Sequence, residues 1–112
     1  TADSRLVQQI ARNDMVRGLT IACGGFFGPQ GRELRLPLMN PALNRKIADF
    51  EYKGLKVTNF EMESSALAGL STLMGHRAIT CCIVVADRLV QETNVQYKNS
   101  IDKLVEKVLE RI

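Results

Sequence analysis

The chain has 112 residues, of which 46% are hydrophobic and 24% charged, the composition of one compact soluble domain. Its formal net charge of +3 comes from 15 basic and 12 acidic residues that are interspersed, which argues against a nucleic-acid-binding surface. No apolar run approaches the roughly 18 residues needed to span a bilayer, and the amino terminus lacks the features of a signal peptide. We therefore expect a cytoplasmic protein without a nucleic-acid or membrane partner.

The three cysteines, Cys23, Cys81 and Cys82, have neither the pairing of a disulfide framework nor metal-ligand spacing. We expect them to be small buried side chains in a reducing compartment, and we predict no metal site.

The first predicted helix begins at Asp3 or Ser4, either of which can cap it, and ends between Asn13 and Gly18. Its apolar face consists of Leu6, Val7 and Ile10. A buried strand follows at 19–23, because glycines close a short, partly β-branched apolar run there. This strand leads into a glycine-rich loop over 24–32, and α/β proteins commonly bind ligands in such loops.

Residues 34–39 contain Pro37 and predict at most an edge strand or an extended connection. A second helix is predicted to begin at Asn40, which caps it, with Pro41 at the first helical position and Gly54 at its end. Its apolar face consists of Leu43, Ile47 and Phe50.

The rest of the chain predicts a strand at 55–60, a helix over 61–74 that ends at Gly75, and a further strand within 77–86. The run 77–86 shows little alternation, which is typical of a central strand covered on both faces. From about Val95 to Ile112, apolar residues recur at helical spacing and predict an amphipathic helix. This order predicts an α/β fold with three αβα layers around a mostly parallel or mixed central sheet.

Gln30 and Arg32 in the glycine-rich loop form the first candidate site. An amide offers a donor beside an acceptor, and a guanidinium offers a fork of donors. Together they match a planar edge that alternates carbonyl, N–H and carbonyl, as in uracil. The alternative is a surface turn in which both side chains are solvated. The loop lacks the spacing of a dinucleotide-binding or Walker loop.

The stretch 59–65, Asn-Phe-Glu-Met-Glu-Ser-Ser, forms the second candidate site, at the junction between a strand and a helix. A carboxylate there can accept two hydrogen bonds from the vicinal hydroxyls of a ribose. Alternatively, its acidic residues only stabilise the helix start, by about 0.3–1 kcal/mol each.

Asp87 and Arg88, at the end of the apolar run, form the third candidate site. Such a charged pair marks either a ligand site or the point where a strand reaches the surface.

These three segments, in this order, resemble the nucleoside phosphorylase family, and most closely its uridine-cleaving branch. The run Phe60 to Ala66 is similar to the family's Glu-Met-Glu ribose-binding segment. The Gln-x-Arg within 26–32 is similar to the uracil-reading pair, and 85–88 to a strand end that carries a further base-site arginine. The resemblance covers nearly the whole chain, most clearly from Gly18 onward.

The resemblance implies that Gln30 hydrogen-bonds the imide edge of uracil, that Arg32 donates to a carbonyl oxygen, and that Phe26 walls the base. Arg88 would support Arg32. Because negative charge grows on the departing base, the donors Gln30, Arg32 and Arg88 are also expected to be catalytic. In purine-specific relatives an aspartate near this strand end is the acid toward N7, so Asp87 is either such an acid or an orienting partner of Arg88.

The resemblance further implies that Met62 and Glu63 hold the ribose, with Glu61 as a weaker member of this group. The implied reaction is phosphate-dependent cleavage of uridine to uracil and ribose 1-phosphate, a pentosyl transfer of pyrimidine salvage. Phosphate is the co-substrate, and no cofactor is expected. The alternatives are a purine nucleoside phosphorylase or nucleosidase and, in a different class, a non-catalytic nucleoside-binding or assembly fragment.

The chain opens on Thr1 rather than Met, and family members are well over twice this length, with their phosphate loop in the amino-terminal half. We therefore expect residues 1–112 to be the carboxy-terminal base- and ribose-binding portion of a single domain that lacks its phosphate-binding half. The isolated chain is expected to be inactive. By resemblance, it forms a homo-oligomer or associates with the missing half.

Overall fold

The computed structural model describes residues 2–87 and 92–112. Its elements, in chain order, are α1 (Ser4–Ile10), β1 (Leu19–Ala22), a 3₁₀ turn (Gly28–Gln30), α2 (Leu43–Asp49), β2 (Glu51–Tyr52), β3 (Leu55–Glu61), α3 (Ser64–Leu73), β4 (Ala86–Asp87), β5 (Glu92–Thr93) and α4 (Tyr97–Leu109). The predicted α/β class with a mixed sheet is confirmed. In this part of the chain, no helix combines the length and apolar character that crossing a membrane requires.

The helices lie where the sequence predicts them, but each is shorter than expected. Helix α1 uses its predicted cap, because Asp3 Oδ1 accepts the N–H groups of Arg5 and Leu6, both at 3.0 Å. Helix α2 begins at Leu43 and not at Pro41. The reason is a turn that precedes it, in which the N–H of Leu43 donates to the carbonyl of Asn40 at 3.0 Å.

The main sheet has the strand order β1-β3-β2. Strands β1 and β3 are parallel, with Ala22 beside Glu61, whereas β2 and β3 form an antiparallel hairpin. The hairpin turn contains Lys53 and Gly54 at φ values of 53° and 77°, the conformation that a tight type I′ turn requires. Gly54 therefore makes a hairpin turn, and the prediction that it ends helix α2 is wrong.

The predicted core strand over 77–86 is also wrong. Its last residue begins β4, which pairs antiparallel with β5 through Ala86 and Thr93. Within the described part of the chain, residues 79–84 make no backbone hydrogen bonds. Val84 and Val85 are 54% and 44% exposed. An apolar run becomes a central strand only where neighbouring strands and covering layers exist, and the small sheet supplies neither for this segment.

The three cysteines are less buried than the sequence predicts. Cys82 is exposed, and Cys23 and Cys81 are half-buried, so the prediction that all three are buried is wrong. All three are free thiols.

Much apolar surface stays uncovered. Among the described residues, only Ile10 and Ala11 are buried apolar side chains. The accessible surface is 8905 Å², whereas a compact monomer of this mass exposes about 6,200 Å². The radius of gyration is 15.3 Å, against about 13 Å for a compact domain of this length. The exposed apolar residues include several of α3 and α4, namely Leu67, Leu70, Leu73, Ile101, Val105 and Leu109.

Asp14 connects the loop after α1 to the end of α4. Arg111 donates to both of its carboxylate oxygens, at 3.0 and 2.7 Å, and Lys107 lies 2.7 Å from one of them. Arg111 also donates to the carbonyl of Ile10 at 2.8 Å. The hydrogen bonds from Arg111 and Lys107 hold the pKa of Asp14 well below its usual value.

Candidate functional site

Two of the three predicted site segments leave the sheet at the same edge. Because β1 and β3 are parallel, their carboxyl ends lie side by side, and the N–H of Cys23 donates to the carbonyl of Glu61 at 3.0 Å. The loop that follows β1 carries Phe26, Gln30 and Arg32, and the stretch that follows β3 carries Met62 and Glu63. The topology thus joins the predicted base and ribose segments at one position, where α/β sheets commonly bind ligands.

Gln30 and Arg32 contact each other directly. Arg32 Nη1 donates to Gln30 Oε1 at 2.6 Å and also donates to the carbonyl of Phe26. Its guanidinium carbon lies 3.6 Å from the centre of the Phe26 ring, a cation–π arrangement. Gln30 is 4% exposed, so the alternative of a turn with two solvated side chains is wrong for Gln30.

The loop that carries this pair is closed by its own backbone and by α2. The N–H of Gly31 donates to the carbonyl of Gly28 at 2.9 Å, and Gly31 adopts φ 69° in the left-handed region. Asn44 of α2 donates through Nδ2 to the carbonyl of Gly31 at 2.9 Å. A Cβ on Gly31 would lie 1.9 Å from Asn44 Oδ1, so a larger residue there would displace the Asn44 side chain and would also be strained at this φ. Asn44 was not among the predicted site residues, and nothing in its local sequence indicates this contact.

Glu61 holds the start of α3. Its Oε2 accepts the N–H groups of Glu63 and Ser64 at 2.9 and 2.6 Å, and its Oε1 accepts the Ser64 hydroxyl at 2.5 Å. Desolvation raises the pKa of Glu61, but these hydrogen bonds outweigh it and hold the pKa below its usual value. Glu61 thus has a helix-start role, and its predicted supporting role toward ribose stays a prediction.

Glu63 and Met62 are more open than Glu61. Glu63 Oε2 accepts the N–H of Met62 at 3.2 Å, and its Oε1 has no hydrogen-bond partner among the described residues. Met62 is 41% exposed. The structure therefore leaves a carboxylate oxygen and an apolar side chain accessible at the sheet edge that also holds the loop 24–32, called the base loop below.

Cys82 lies within electrostatic reach of this edge. Desolvation raises the pKa of its thiol, the nearby carboxylates of Glu61 and Glu63 raise it further, and a hydrogen bond with Asn59 acts in the opposite direction. Cys82, within the segment 79–84, therefore lies near the carboxyl end of β3 and the predicted ribose residues.

The third predicted segment is described only in part. Asp87 is the last residue of β4 and is exposed, whereas Arg88 lies outside the described residues. The structure does not test the prediction that Arg88 supports Arg32. Within residues 2–87 and 92–112, no group of three or more His, Cys, Asp or Glu side chains could hold a metal ion.

The sequence profile of the phosphorylase superfamily matches residues 1–112. A uridine phosphorylase of Thermococcus kodakarensis is 36% identical to the chain over 78 residues. The alignment covers 67% of this chain and 26% of the relative, so the chain spans about a quarter of that curated protein's length. No solved structure matches the chain.

The profile covers every segment on which the resemblance depends, including the base loop and the Glu-Met-Glu run. The parallel β1–β3 pair and the helices around a small mixed sheet are consistent with a partial fold of this kind. The chain therefore belongs to the phosphorylase superfamily.

Proposed function

We propose that this chain is the base- and ribose-binding part of a uridine phosphorylase, which cleaves uridine with phosphate to give uracil and ribose 1-phosphate. The observation that carries the proposal is the Gln30–Arg32 pair, whose 2.6 Å hydrogen bond orients a buried amide beside a guanidinium. An amide and a guanidinium match the carbonyl and N–H groups of the uracil edge. The similarity to a uridine phosphorylase supports the same choice of base.

The pair would contribute to the chemical step as well as to recognition. Phosphate oxygen forms a bond to C1′ while the bond from C1′ to the base nitrogen breaks, and the bonding electrons leave with uracil. Gln30 and Arg32 donate toward the uracil oxygens, where negative charge grows. They therefore stabilise the transition state more than the bound nucleoside. Phe26 provides an apolar wall for the planar base, and Arg88 is proposed to support Arg32.

The ribose would lie at the start of α3. Among the described residues, Glu63 Oε1 has no hydrogen-bond partner and can accept hydrogen bonds from sugar hydroxyls, and Met62 offers an exposed apolar surface. Glu61 acts mainly by holding the helix start that places these two residues. The pairing of β1 with β3 supports a sugar site next to the loop that carries Gln30 and Arg32.

We further propose that the phosphate-binding half of the fold lies outside this chain. The matched relative is about four times as long as the matched segment, and the chain exposes about 2,700 Å² more surface than a compact monomer of its mass. That excess is greater than the roughly 800 Å² that each partner buries in a standard complex. The completing half, in the same polypeptide or in an associated one, and further copies of the protein would cover this surface.

The test is phosphorolysis with and without the completing half. We expect no phosphate-dependent loss of uridine with the 112-residue chain, and phosphate-dependent release of uracil when the rest of the fold is present. Turnover by the pure chain would contradict our placement of the phosphate site. A completed protein that prefers inosine would favour a purine nucleoside phosphorylase. One that binds uridine without cleaving it would favour a non-catalytic nucleoside-binding protein.

A further inference from the structure

We propose that Asn44 is a positioning residue for base recognition, because it holds Gly31 between the two side chains that read the base. This inference rests on the proposed function. Asn44 Nδ2 donates to the carbonyl of Gly31 at 2.9 Å, and this hydrogen bond joins α2 to the base loop. No other hydrogen bond connects these two parts within the described residues.

The contact lies at the residue between Gln30 and Arg32, whose own backbone N–H groups both donate to the carbonyl of Phe27 at 3.0 Å. Gly31 adopts a left-handed backbone conformation and closes the 3₁₀ turn through its N–H. The chain reverses direction at Gly31. Gln30 before it is buried, and the guanidinium of Arg32 after it reaches Gln30 Oε1. A rotation of the Gly31 peptide would displace both side chains together, because each of them is its immediate neighbour.

Asn44 fits closely against this peptide. The side chain is half-buried, and its Oδ1 occupies the space where a Cβ on Gly31 would lie. The amide of Asn44 therefore fixes the Gly31 peptide by a hydrogen bond on one side and by contact on the other. Replacing Asn44 by a residue without an amide would remove the hydrogen-bond donor to Gly31 and leave a gap beside it.

Helix α2 can transmit this restraint to the ribose side of the site. It packs against β3, whose carboxyl end carries Glu61 and begins the ribose segment. Asn44 thus fixes the base loop to helix α2, which packs against β3. Together with the β1–β3 pairing, this connection contributes to the distance between the base donors and the sugar residues.

The chain offers a matched control in Asn40. Its Oδ1 accepts the N–H of Ala42 at 3.1 Å in the turn before the same helix, and among the described residues it forms no hydrogen bond with the base loop. Asn40→Ala weakens the start of α2 and leaves the Gly31 contact in place. Asn44→Asp keeps the shape of the side chain, loses the donor and turns a carboxylate toward the Gly31 carbonyl.

The first readout is amide hydrogen exchange at Gly31 and Arg32 in the 112-residue chain. We expect exchange to accelerate by about threefold to tenfold in Asn44→Ala, which is the effect of losing one hydrogen bond. It should accelerate further in Asn44→Asp and stay near the wild-type rate in Asn40→Ala. Equal exchange in Asn44→Asp and wild type would overturn the inference.

The second readout is base discrimination by the completed protein. Cytosine presents an acceptor at N3 and a donor at C4, opposite to uracil, so a fixed Gln30–Arg32 pair rejects it. We expect the uridine-to-cytidine ratio of kcat/KM to fall several-fold in Asn44→Ala and to remain in Asn40→Ala. A role in stability alone would leave this ratio unchanged, and that result would overturn the inference. If exchange accelerates but the wild type neither binds nor cleaves uridine, the loop restraint stands and the proposed function fails.

Discussion

The backbone N–H of Cys23 donates to the carbonyl of Glu61 at 3.0 Å, and this bond lies where the base loop and the ribose segment leave the sheet. Cys23 begins the loop that leads to Gln30, and Glu61 begins the turn that leads to Glu63. This hydrogen bond continues the parallel β1–β3 pairing and joins the two halves of the proposed nucleoside site at the end of the sheet. Substitutions in the loop after Cys23 should therefore affect mainly base recognition, and substitutions in the turn after Glu61 should affect mainly sugar recognition.

Glu61→Ala should destabilise the fold, because it removes an acceptor from two backbone N–H groups and one hydroxyl at the start of α3. Loss of a helix cap costs about 0.5–2 kcal/mol of the free energy of unfolding. Chemical denaturation followed by far-UV circular dichroism measures this change. The control is Glu63→Ala, which removes one exposed contact and should change stability little. Equal stability of the two variants would contradict the helix-start role.

Asp14→Asn should reduce the stability of the protein at pH 7. It should also make this stability depend less on pH in the acidic range. The pKa of Asp14 is lowered in the folded protein, so its contribution is present above the unfolded pKa of about 3.9 and is lost as pH falls below that value. We expect the wild type to lose stability on acidification and the variant to lose less. Thermal melts between pH 7 and pH 3 measure the difference. Asp102→Asn, at an exposed position of α4 outside this cluster, is the control. Parallel pH curves for Asp14→Asn and wild type would show that the ion pairs contribute nothing.

Local sequence signals predicted the elements that depend on local interactions. Asp3 caps α1 because its side chain reaches N–H groups only two and three residues away. The strand at 19–22 and the helices also follow from short-range patterns. Gly54 was assigned the wrong role because a glycine after a helical pattern indicates a stop, whereas here Lys53 and Gly54 together form a hairpin turn.

Long-range contacts explain what the sequence did not predict. The run 77–86 has the composition of a central strand, but strand formation depends on neighbours that residues far away in the chain must supply. Asn44 reaches Gly31 across thirteen positions, and no local pattern marks such a contact. The alternatives for Glu61 were both stated from the sequence, and the hydrogen bonds with Ser64 favour the helix-start role.

Glu63→Ala in the completed protein should leave binding of free uracil nearly unchanged and reduce discrimination between uridine and 2′-deoxyuridine. A hydrogen bond from a hydroxyl to a carboxylate contributes about 1.5–3 kcal/mol, so the preference for uridine should fall by at least tenfold. Steady-state kinetics with both nucleosides measures the ratio. Glu106→Ala, at an exposed position on α4, is the control. If the wild-type ratio persists in Glu63→Ala, this carboxylate does not contact the sugar hydroxyls.

Gln30→Glu should damage uridine turnover more than Gln30→Ala, although it should damage folding less. In the folded chain, a carboxylate at this position can still accept from Arg32 Nη1, which now lies 2.6 Å from the amide oxygen, whereas alanine removes this acceptor and leaves Nη1 only the carbonyl of Phe26. Toward uracil, however, a carboxylate offers only acceptors and faces a carbonyl oxygen with repulsion, while alanine merely removes a bond. We therefore expect Gln30→Ala to melt at a lower temperature and yet retain the higher kcat/KM for uridine, with inosine a poor substrate for both. On the completed protein, differential scanning calorimetry compares the melting temperatures of the two variants, and initial-rate assays compare their kcat/KM for uridine. If the wild type instead prefers inosine and Asp87→Asn is the most harmful substitution, Asp87 acts as the acid toward a purine and the Gln30–Arg32 pair does not select uracil.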